Sequence, residues 1–349
     1  MTVRRVSVRM RGLSLRVDLR VLAVLGILGA LTLVAFTLNV GRGEFAIAPP
    51  DVLAALVGGG DESTRFIVQD LRLPRALTAI LVGAALGIAG AIFQDLARNA
   101  LVSPDVIGIS WGASLAAISM IVFGGASGVL TIPLAALGGA LGAGVLLYGL
   151  AWRGGVQGYR LVLIGIGLTT VFSAGVSYVL TQAVFIELQR AYVWLVGSLN
   201  DAGWEHVWPL SATLAVLLPL ALALGRQLET LQLGDDVARA LGANVERARL
   251  ALLAVAIVLT GVAVSAAGPI AFVAFFAPHI ARRVSDTVSP SGVLPVAAAT
   301  GAFMVLGADL AGRLLFGATH MPVGIITSII AAPYFLYLLQ RANRIGATG

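Results

Sequence analysis

The chain has 349 residues, of which 58% are hydrophobic and only 11% are charged. A soluble globular protein carries about 25% charged residues, because water has to solvate its surface. The mean hydropathy is +0.96, so the composition excludes a soluble fold. The apolar residues number about 202, and one spanning helix needs about 20. This content matches about ten spans of an all-α polytopic membrane protein.

Two residue types are missing from the chain, and each absence excludes a kind of chemistry. Without cysteine, neither a disulfide framework nor a thiolate metal site can form. Lysine is missing too, because all 23 basic residues are arginine. A phosphate-binding P-loop and a Schiff-base enzyme both need a lysine. The chain is therefore predicted to lack these chemistries. Because no spaced His, Asp or Glu cluster lies in a span either, it is also predicted not to be an enzyme and to hold no cofactor or metal.

Eight charge-free runs follow a leading segment, 1–20, that is rich in arginine. Two of the runs are too long for one helix, and each contains a break. A glycine-rich turn signal at 124–128 divides the third run, and Gly268-Pro269 interrupts the sixth. Dividing these two runs gives ten predicted spans. The runs are 21–41, 76–94, 106–152, 161–186, 206–225, 250–281, 287–308 and 314–340.

The arginines predict the orientation of the chain in the membrane. If both termini are cytoplasmic, seventeen arginines fall on inside segments and six outside, which agrees with the positive-inside bias. The predicted organisation is a cytoplasmic Arg-rich segment 1–20, a ten-helix transmembrane domain 21–340 and a cytoplasmic tail 341–349. The longest internal loop is 226–249. In the external stretch, Pro49-Pro50 predicts the first turn of a short interfacial helix.

The predicted spans lack the groups that proton-driven carriers use. No run contains Asp, Glu or Arg, and His206, His279 and His320 lie at span ends. A histidine at a span end is more often a satisfied interfacial group, whereas a proton relay needs a titrating site in the bilayer. Proton-driven transport is therefore disfavoured, and sodium coupling through backbone carbonyls stays open. Another subunit is the favoured source of energy.

The loop 226–249 contains a short predicted helix. Asp235 is placed to cap its start, Gly242 to follow its end, and Asn244 to cap the next helix. The apolar residues that would share one face are Val237, Ala240 and Leu241. Such a helix could lie on lipid or insert into a cytoplasmic partner, and the residues alone favour neither interpretation.

Several short motifs occur in a fixed order between about residue 72 and residue 339. Each is weakly specific alone, but together on a ten-span chain they resemble the FecCD-type permeases. These are the membrane subunits of ABC importers for ferric siderophores, vitamin B12 and haem. The motifs are 71–75 (LRLPR), 108–113 (GISWGA), 160–168, 194–199 (WLVGSL), 234–242, 268–273 (GPIAFV), 278–282 (PHIAR), 308–309 (AD) and 322–324 (PVG).

The resemblance implies a type II ABC importer permease in a bacterial inner (cytoplasmic) membrane. Its implied partners are ABC ATPase subunits that bind the ATP, a periplasmic or lipid-anchored substrate-binding protein, and a second permease chain. That second chain would make a homodimer or a paralogous heterodimer, and no nucleic acid is involved.

The resemblance also implies three groups of site residues. External arginines would pair with carboxylates of the binding protein, which suits their planar fork, although interfacial snorkelling is the other interpretation. The docking residues are Arg72, Arg75 and Arg313. The ATPase-coupling residues are Leu233, Gly234, Asp235, Asp236, Ala238, Arg239, Leu241 and Gly242. The cytoplasmic gate residues are Asn99, Leu101, Gly158 and Tyr159.

The chain departs from the family pattern at a few positions. Ala100 and Ser103 stand where Pro and an acid are usual, and Trp111 stands where a small residue is common. His320 replaces the usual Glu, and 285–289 lacks a Gly-Asp-His-Arg pattern. These departures concern the gate and the outer docking surface.

The predicted function is uptake of a ferric siderophore by ATP-driven alternating access. Vitamin B12 or haem is the alternative cargo within the family. A self-sufficient secondary carrier or channel is the alternative from a different class. The loop 226–249 separates the two classes, because a carrier needs no docking helix. The sequence determines neither the particular chelate nor whether the second permease is an identical chain.

Overall fold

The computed structural model describes residues 5–10, 13–43, 45–125, 128–317 and 321–333. Most of this part of the chain is helical. The helices in chain order are α1 (Leu19–Gly41), α2 (Pro49–Leu56), α3 (Glu62–Phe66), α4 (Leu73–Ala97), α5 (Ile109–Phe123), α6 (Thr131–Ala151), α7 (Gly158–Thr181), α8 (Phe185–Val196), α9 (Trp204–Gln232), α10 (Asp235–Ala240), α11 (Val245–Ala267), α12 (Val273–Ser285), α13 (Pro290–Phe316) and α14 (Val323–Pro333). A π-helical stretch, Ile67–Arg72, joins α3 to α4.

Seven helices of the described chain are long and apolar enough to cross a membrane: α1, α3–α4 taken together, α6, α7, α9, α11 and α13. The helices α5 and α14 are shorter and apolar, and α12 carries Arg282 and Arg283 in its last turn. The structure therefore confirms a polytopic helical membrane protein, while the count of ten spans stays a prediction. Residues 334–340 of the predicted last span, the predicted tail 341–349 and His320 lie outside the described residues.

Both predicted helix breaks are confirmed. The helices α5 and α6 are separated by residues 124–130, and α11 and α12 by residues 268–272. At the second break Gly268 has a φ of 68°, a conformation that favours glycine. A Cβ at this position would also overlap the carbonyl oxygen of Trp194. Two independent constraints thus require glycine where the chain turns.

Some predicted boundaries are wrong, because helices continue past the charges that end the charge-free runs. The helix α13 extends to Phe316 and includes Asp309, so the predicted run 314–340 begins inside its last turn. The helix α4 likewise includes Asp95, which is buried. A charge inside an apolar helix is tolerated when an opposite charge neutralises it. Asp95 meets this condition, because it pairs with Arg282 at 2.8 Å.

The N-terminal segment contains a hairpin that the sequence analysis does not predict. Strand β1 (Arg5–Met10) pairs antiparallel with strand β2 (Leu13–Asp18). Polar and apolar residues alternate in both strands, which is the period of a β-strand. Asp18 then accepts a hydrogen bond from the amide of Arg20 at 2.9 Å and caps α1. The all-α prediction therefore holds for the membrane part of the chain and not for this hairpin.

The centre of the bundle is formed by α4, α11 and α13, which are mostly buried, whereas α1, α7 and α9 expose most of their apolar surface. Glycines allow α4 and α13 to meet at backbone distance. A Cβ on Gly83 would overlap the carbonyl oxygen of Gly301, and one on Gly87 would overlap that of Ala297. Small residues are the usual means of close helix packing in membranes, so these glycines have a packing role.

Three chain reversals meet inside the bundle: the end of α8, the break between α11 and α12, and the start of α14. The amide of Ser198 donates to the carbonyl of Ala267 at 2.8 Å, and the amide of Gly324 donates to that of Gly197 at 3.1 Å. A Cβ on Gly324 would overlap the carbonyl oxygen of Val196. Non-helical backbone at membrane depth is tolerated only where protein satisfies its polar groups, and these bonds satisfy them.

Candidate functional site

One end of the bundle carries a buried ionic cluster, the Asp309 cluster, formed by Asn39, Arg75, Asp309 and Arg313. Arg75 donates to Oδ1 of Asp309 through Nε at 3.0 Å and Nη2 at 2.6 Å. Nε of Arg313 lies 3.2 Å from Oδ2, and Nδ2 of Asn39 donates to Oδ2 at 2.8 Å. The Asp309 side chain is 1% exposed. The cluster therefore joins α1, α4 and α13 around a carboxylate that is closed to water.

Arg72 is at the same end of the bundle, but it bonds to backbone atoms. Its Nη1 donates to the carbonyl of Val40 at 2.8 Å and its Nη2 to the carbonyl of Phe45 at 2.6 Å. These carbonyls lie in and just beyond the last turn of α1, where a helix leaves carbonyls without a partner. Arg72 is buried, so it holds the end of α1 from the start of α4.

The structure thus brings together the three arginines that were predicted to dock a binding protein, but it turns their guanidinium groups inward. The Arg75 and Arg313 side chains are only 12% and 17% exposed. Their contacts give all three arginines a structural role, and the docking role stays a prediction. Within this group, the three arginines and Asp309 sum to a charge of +2.

The opposite end carries α10, the predicted loop helix. The Gly242 amide donates to the carbonyl of Arg239 at 2.9 Å, and the Ala243 amide donates to that of Ala238 at 3.0 Å. With Gly242 at a φ of 83°, this pair of bonds is a Schellman motif. Oδ1 of Asn244 accepts an amide of the first turn of α11 at 3.1 Å. The predicted roles of Gly242 and Asn244 are confirmed.

The predicted capping role of Asp235 is wrong. Gly234 occupies the capping position with a φ of 108°, and Asp235 is the first residue of α10 without a capping bond. Its carboxylate instead accepts from Nη2 of Arg249 at 2.8 and 3.0 Å, and Nη2 of Arg98 lies 3.4 Å away. A buried guanidinium without a carboxylate costs several kcal/mol, whereas a missing cap costs about 1 kcal/mol. The ion pair of Asp235 with Arg249 is therefore more favourable than a capping bond to the backbone of α10.

The helix α10 presents an apolar face away from the rest of the chain. Val237 is three residues from Ala240 and four from Leu241, so these three side chains line one side of the helix. A neighbouring side of the helix carries Ala238, which is completely buried, and Asp236 and Arg239 form an exposed ion pair at 3.3 Å. The exposed apolar residues of this face are Val237, Ala240 and Leu241, and Leu233, which ends α9 just before it, is exposed as well.

The predicted gate residues lie where α4 ends and α7 begins, close to α10. Oδ1 of Asn99 accepts the amide of Leu101 at 2.9 Å, which closes a turn after α4. Gly158 packs against the end of α4, because a Cβ there would lie 2.8 Å from the carbonyl oxygen of Leu96. Leu101 and Tyr159 are exposed. The structure brings these two gate segments, 99–101 and 158–159, together, and their gating role stays a prediction.

A cavity of about 380 Å³ opens beside the first gate segment, within the range of small-molecule pockets. Its lining is mostly apolar and includes Leu101, Trp111 and the connection between α11 and α12. The polar lining residues are Ser103, Asp105, Ser110 and Ser114. In the described part of the chain, no group of three or more His, Asp or Glu side chains could hold a metal ion.

The sequence analysis assigns no role to several residues that organise these sites. In that analysis Asp309 appears only as part of the motif 308–309, and Arg98 and Arg249 have no assigned function. A usable signal exists for Asp309, because a carboxylate within an apolar helix requires a basic partner at the same depth. No comparable local signal exists for Arg98 or Arg249, whose partners depend on the packing of separate segments.

The fold and these sites define a polytopic helical membrane protein with a buried ionic cluster at one end and a short helix with an exposed apolar face at the other. The FecCD transport family matches residues 31–341. The chain belongs to this family, and it is a membrane-embedded transport permease.

Relatives of known assignment cover nearly the whole chain. The chain is 40% identical over 319 residues to the Fe(3+)-citrate import system permease protein YfmE of Bacillus subtilis, covering 91% of this chain and 95% of the relative. It is 40% identical over 303 residues to the ferric enterobactin transport system permease protein FepG of Escherichia coli, covering 86% and 91%. It also resembles the solved structure of a metal-chelate type ABC transporter in an inward-facing conformation. That TM-score is 0.80 with 26% identity, over 92% of this chain and 99% of the other.

Proposed function

We propose that the chain is the permease subunit of an ABC importer that takes up a ferric siderophore by ATP-driven alternating access. Separate ATPase subunits supply the energy, a separate binding protein delivers the cargo, and a second permease chain completes the path. The chain would cross the bacterial inner membrane ten times with both termini in the cytoplasm and with α10 on the cytoplasmic side. The observation that carries this proposal is the exposed apolar face of α10 in a member of the FecCD family.

The geometry of α10 favours docking into a protein over lying on lipid. Helices that lie on membranes are rich in basic residues on their polar face, whereas α10 has Asp235 and Asp236 against the single Arg239. Its position is also fixed, by the Schellman motif at one end and the Arg249 ion pair at the other. Burying an exposed leucine or valine in a partner groove contributes about 1.5–3 kcal/mol. A rigid helix with an exposed apolar face is suited to transmit a conformational change from a bound ATPase to the permease.

The energy of transport would enter through the ATPase alone. A nucleotide changes the equilibrium between inward-open and outward-open states only to the extent that the complex binds it differently in each state. The gate segments and the adjoining cavity lie at the same end as α10, so movement of α10 would reach them over a short path. The cargo class is proposed from the relatives, whose names specify ferric citrate and ferric enterobactin.

The test is reconstitution of the chain in proteoliposomes with the ATPase and binding protein encoded beside it. We expect uptake of a radiolabelled ferric siderophore to require ATP and all subunits, and to persist when ionophores collapse the ion gradients. Labelled cobalamin and haemin serve as competing cargoes in the same vesicles. Uptake of cobalamin or haemin in place of the siderophore would show that the proposed cargo is wrong. Gradient-driven uptake by the chain alone would identify a secondary carrier and contradict the importer proposal.

We also propose that Arg72, Arg75 and Arg313 promote docking of the binding protein. The local charge of +2 that they form with Asp309 would attract a carboxylate of the binding protein and raise the association rate, even though the guanidinium groups are bonded inward. Arg313→Gln keeps the Arg75–Asp309 pair, and we expect it to slow association about three- to tenfold at low salt. High salt should remove the difference, because it screens the field.

Surface plasmon resonance on the purified permease in nanodiscs measures these association rates. Arg20→Gln is the matched control, because Arg20 is an exposed arginine at the α10 end, where it pairs with Asp286. Equal rates for Arg313→Gln and Arg20→Gln at low salt would leave the arginines with only their structural role.

A further inference from the structure

Asp235 contacts two arginines that lead to different parts of the chain. Nη2 of Arg249 donates to both of its carboxylate oxygens, at 2.8 and 3.0 Å. Nη2 of Arg98 lies 3.4 Å from Oδ1. Asp235 is the first residue of α10, so its carboxylate connects this helix directly to two other segments.

The Arg98 contact leads to the first gate segment. Arg98 follows the last residue of α4 with a φ of 50°, and Asn99–Leu101 come next in the chain. Its Nη2 also donates to the carbonyl of Leu231, at the end of α9, at 2.6 Å. Arg98 therefore holds the start of the gate segment against both α9 and α10. Its side chain is 49% exposed, so this contact is the weaker of the two.

The Arg249 contact leads to the second gate segment. Nη1 of Arg249 donates to the carbonyl of Val156, two residues before Gly158. The amide of Val156 in turn lies 3.4 Å from Oε2 of Glu246, which also accepts from Arg249 through its other oxygen at 3.4 Å. The Arg249 side chain is only 5% exposed, so these charges attract one another with little screening by water.

We infer that Asp235 is a positioning residue that ties the docking helix to both gate segments, so that displacement of α10 moves them together. This inference rests on the proposed function, because it assumes that an ATPase moves α10. A purely structural role would also place Asp235 between two arginines. It would not require, however, that one arginine directly precede the first gate segment and that the other donate to backbone beside the second.

The chain has no cysteine, so a single introduced cysteine reports on one gate segment at a time. Tyr159→Cys and Leu101→Cys both replace exposed side chains. Each is labelled with a maleimide fluorophore in nanodiscs that hold the permease and its ATPase, with and without ATP. The measured quantity is the ATP-dependent change in the labelling rate. Retention of the ATPase by the tagged permease is measured in the same samples.

Asp235→Asn removes the charge and keeps the shape of the side chain. We expect it to retain the ATPase and to reduce the ATP-dependent change at both cysteines at least about fivefold, the size of a typical allosteric coupling. The matched control is Asp286→Asn, which removes an exposed aspartate that pairs with Arg20 at the same end of the molecule. It should leave both responses intact.

Arg98→Gln tests one contact separately and alters a half-exposed side chain. We expect it to reduce the response at the Leu101→Cys position and to spare the response at Tyr159→Cys. Normal responses at both positions in Asp235→Asn would overturn the inference, as would loss of ATPase retention in that variant alone. Equal responses at the two positions in Arg98→Gln would overturn it as well. If even the unsubstituted chain retained no ATPase, the proposed function itself would fail, which is a distinguishable result.

Discussion

Leu241→Asp is expected to abolish ATP-driven uptake while leaving the permease folded. Leu241 is 66% exposed and directly follows the last turn of α10, so the substitution disturbs no core packing. A carboxylate forced into an apolar groove of the ATPase costs on the order of 3 kcal/mol without a partner. That cost corresponds to about 100-fold weaker association. Titration of the ATPase onto the permease in nanodiscs and uptake in proteoliposomes measure the two effects.

Val288→Asp is the matched control for this prediction. Val288 is 81% exposed and lies between α12 and α13, at the same end of the molecule as α10. The same substitution there should leave both ATPase affinity and uptake close to those of the original chain. If Leu241→Asp kept normal affinity and uptake, the apolar face of α10 would not be the docking surface, and the lipid-facing interpretation would become preferable.

Asp309→Asn is expected to lower the free energy of unfolding by about 3–5 kcal/mol, because it leaves two largely buried guanidinium groups without their carboxylate. Arg75 and Arg313 both depend on this side chain, and the asparagine amide offers them no negative charge. The loss should appear as a lower Tm of the detergent-solubilised permease and as reduced yield from membranes.

Asp286→Asn provides the comparison for this second variant. The Asp286–Arg20 ion pair is short, at 2.6 Å, but the two side chains are 72% and 52% exposed. An exposed pair contributes about 0–1 kcal/mol, so the Tm should change little. Equal losses of Tm in the two variants would mean that the Asp309 cluster does not hold α1, α4 and α13 together.

The sequence predicts structure well where one residue acts on its own backbone. Gly242 ends α10, Asn244 caps α11, and Gly268-Pro269 separates α11 from α12, each as expected. The physical reason is that glycine conformation, proline chemistry and capping are local, so they need no knowledge of the packing. The alternation of polar and apolar residues in β1 and β2 is equally local, and it could have predicted the hairpin.

The ion pairs are the part that the sequence does not predict. Arg75 and Asp309 are 234 residues apart, and only the close packing of α4 against α13 brings them together. Asp235 has every local feature of a helix cap, yet Arg249 is buried beside it and takes its carboxylate. Arginines at span ends fit docking, snorkelling and internal pairing equally well until the helix packing is known. The orientation of their side chains is therefore a tertiary property.

The meeting of three chain reversals at Gly197, Gly268 and Gly324 has a consequence for biosynthesis. Gly197 and Gly324 bond to each other although 127 residues separate them. During synthesis, α9–α13 must therefore be made before Gly324 arrives to satisfy the carbonyl of Gly197. Non-local contacts of this kind form slowly, and incompletely packed intermediates expose surfaces that misassemble. Nascent permease that stops short of α14 should accordingly be a substrate for membrane quality-control proteases.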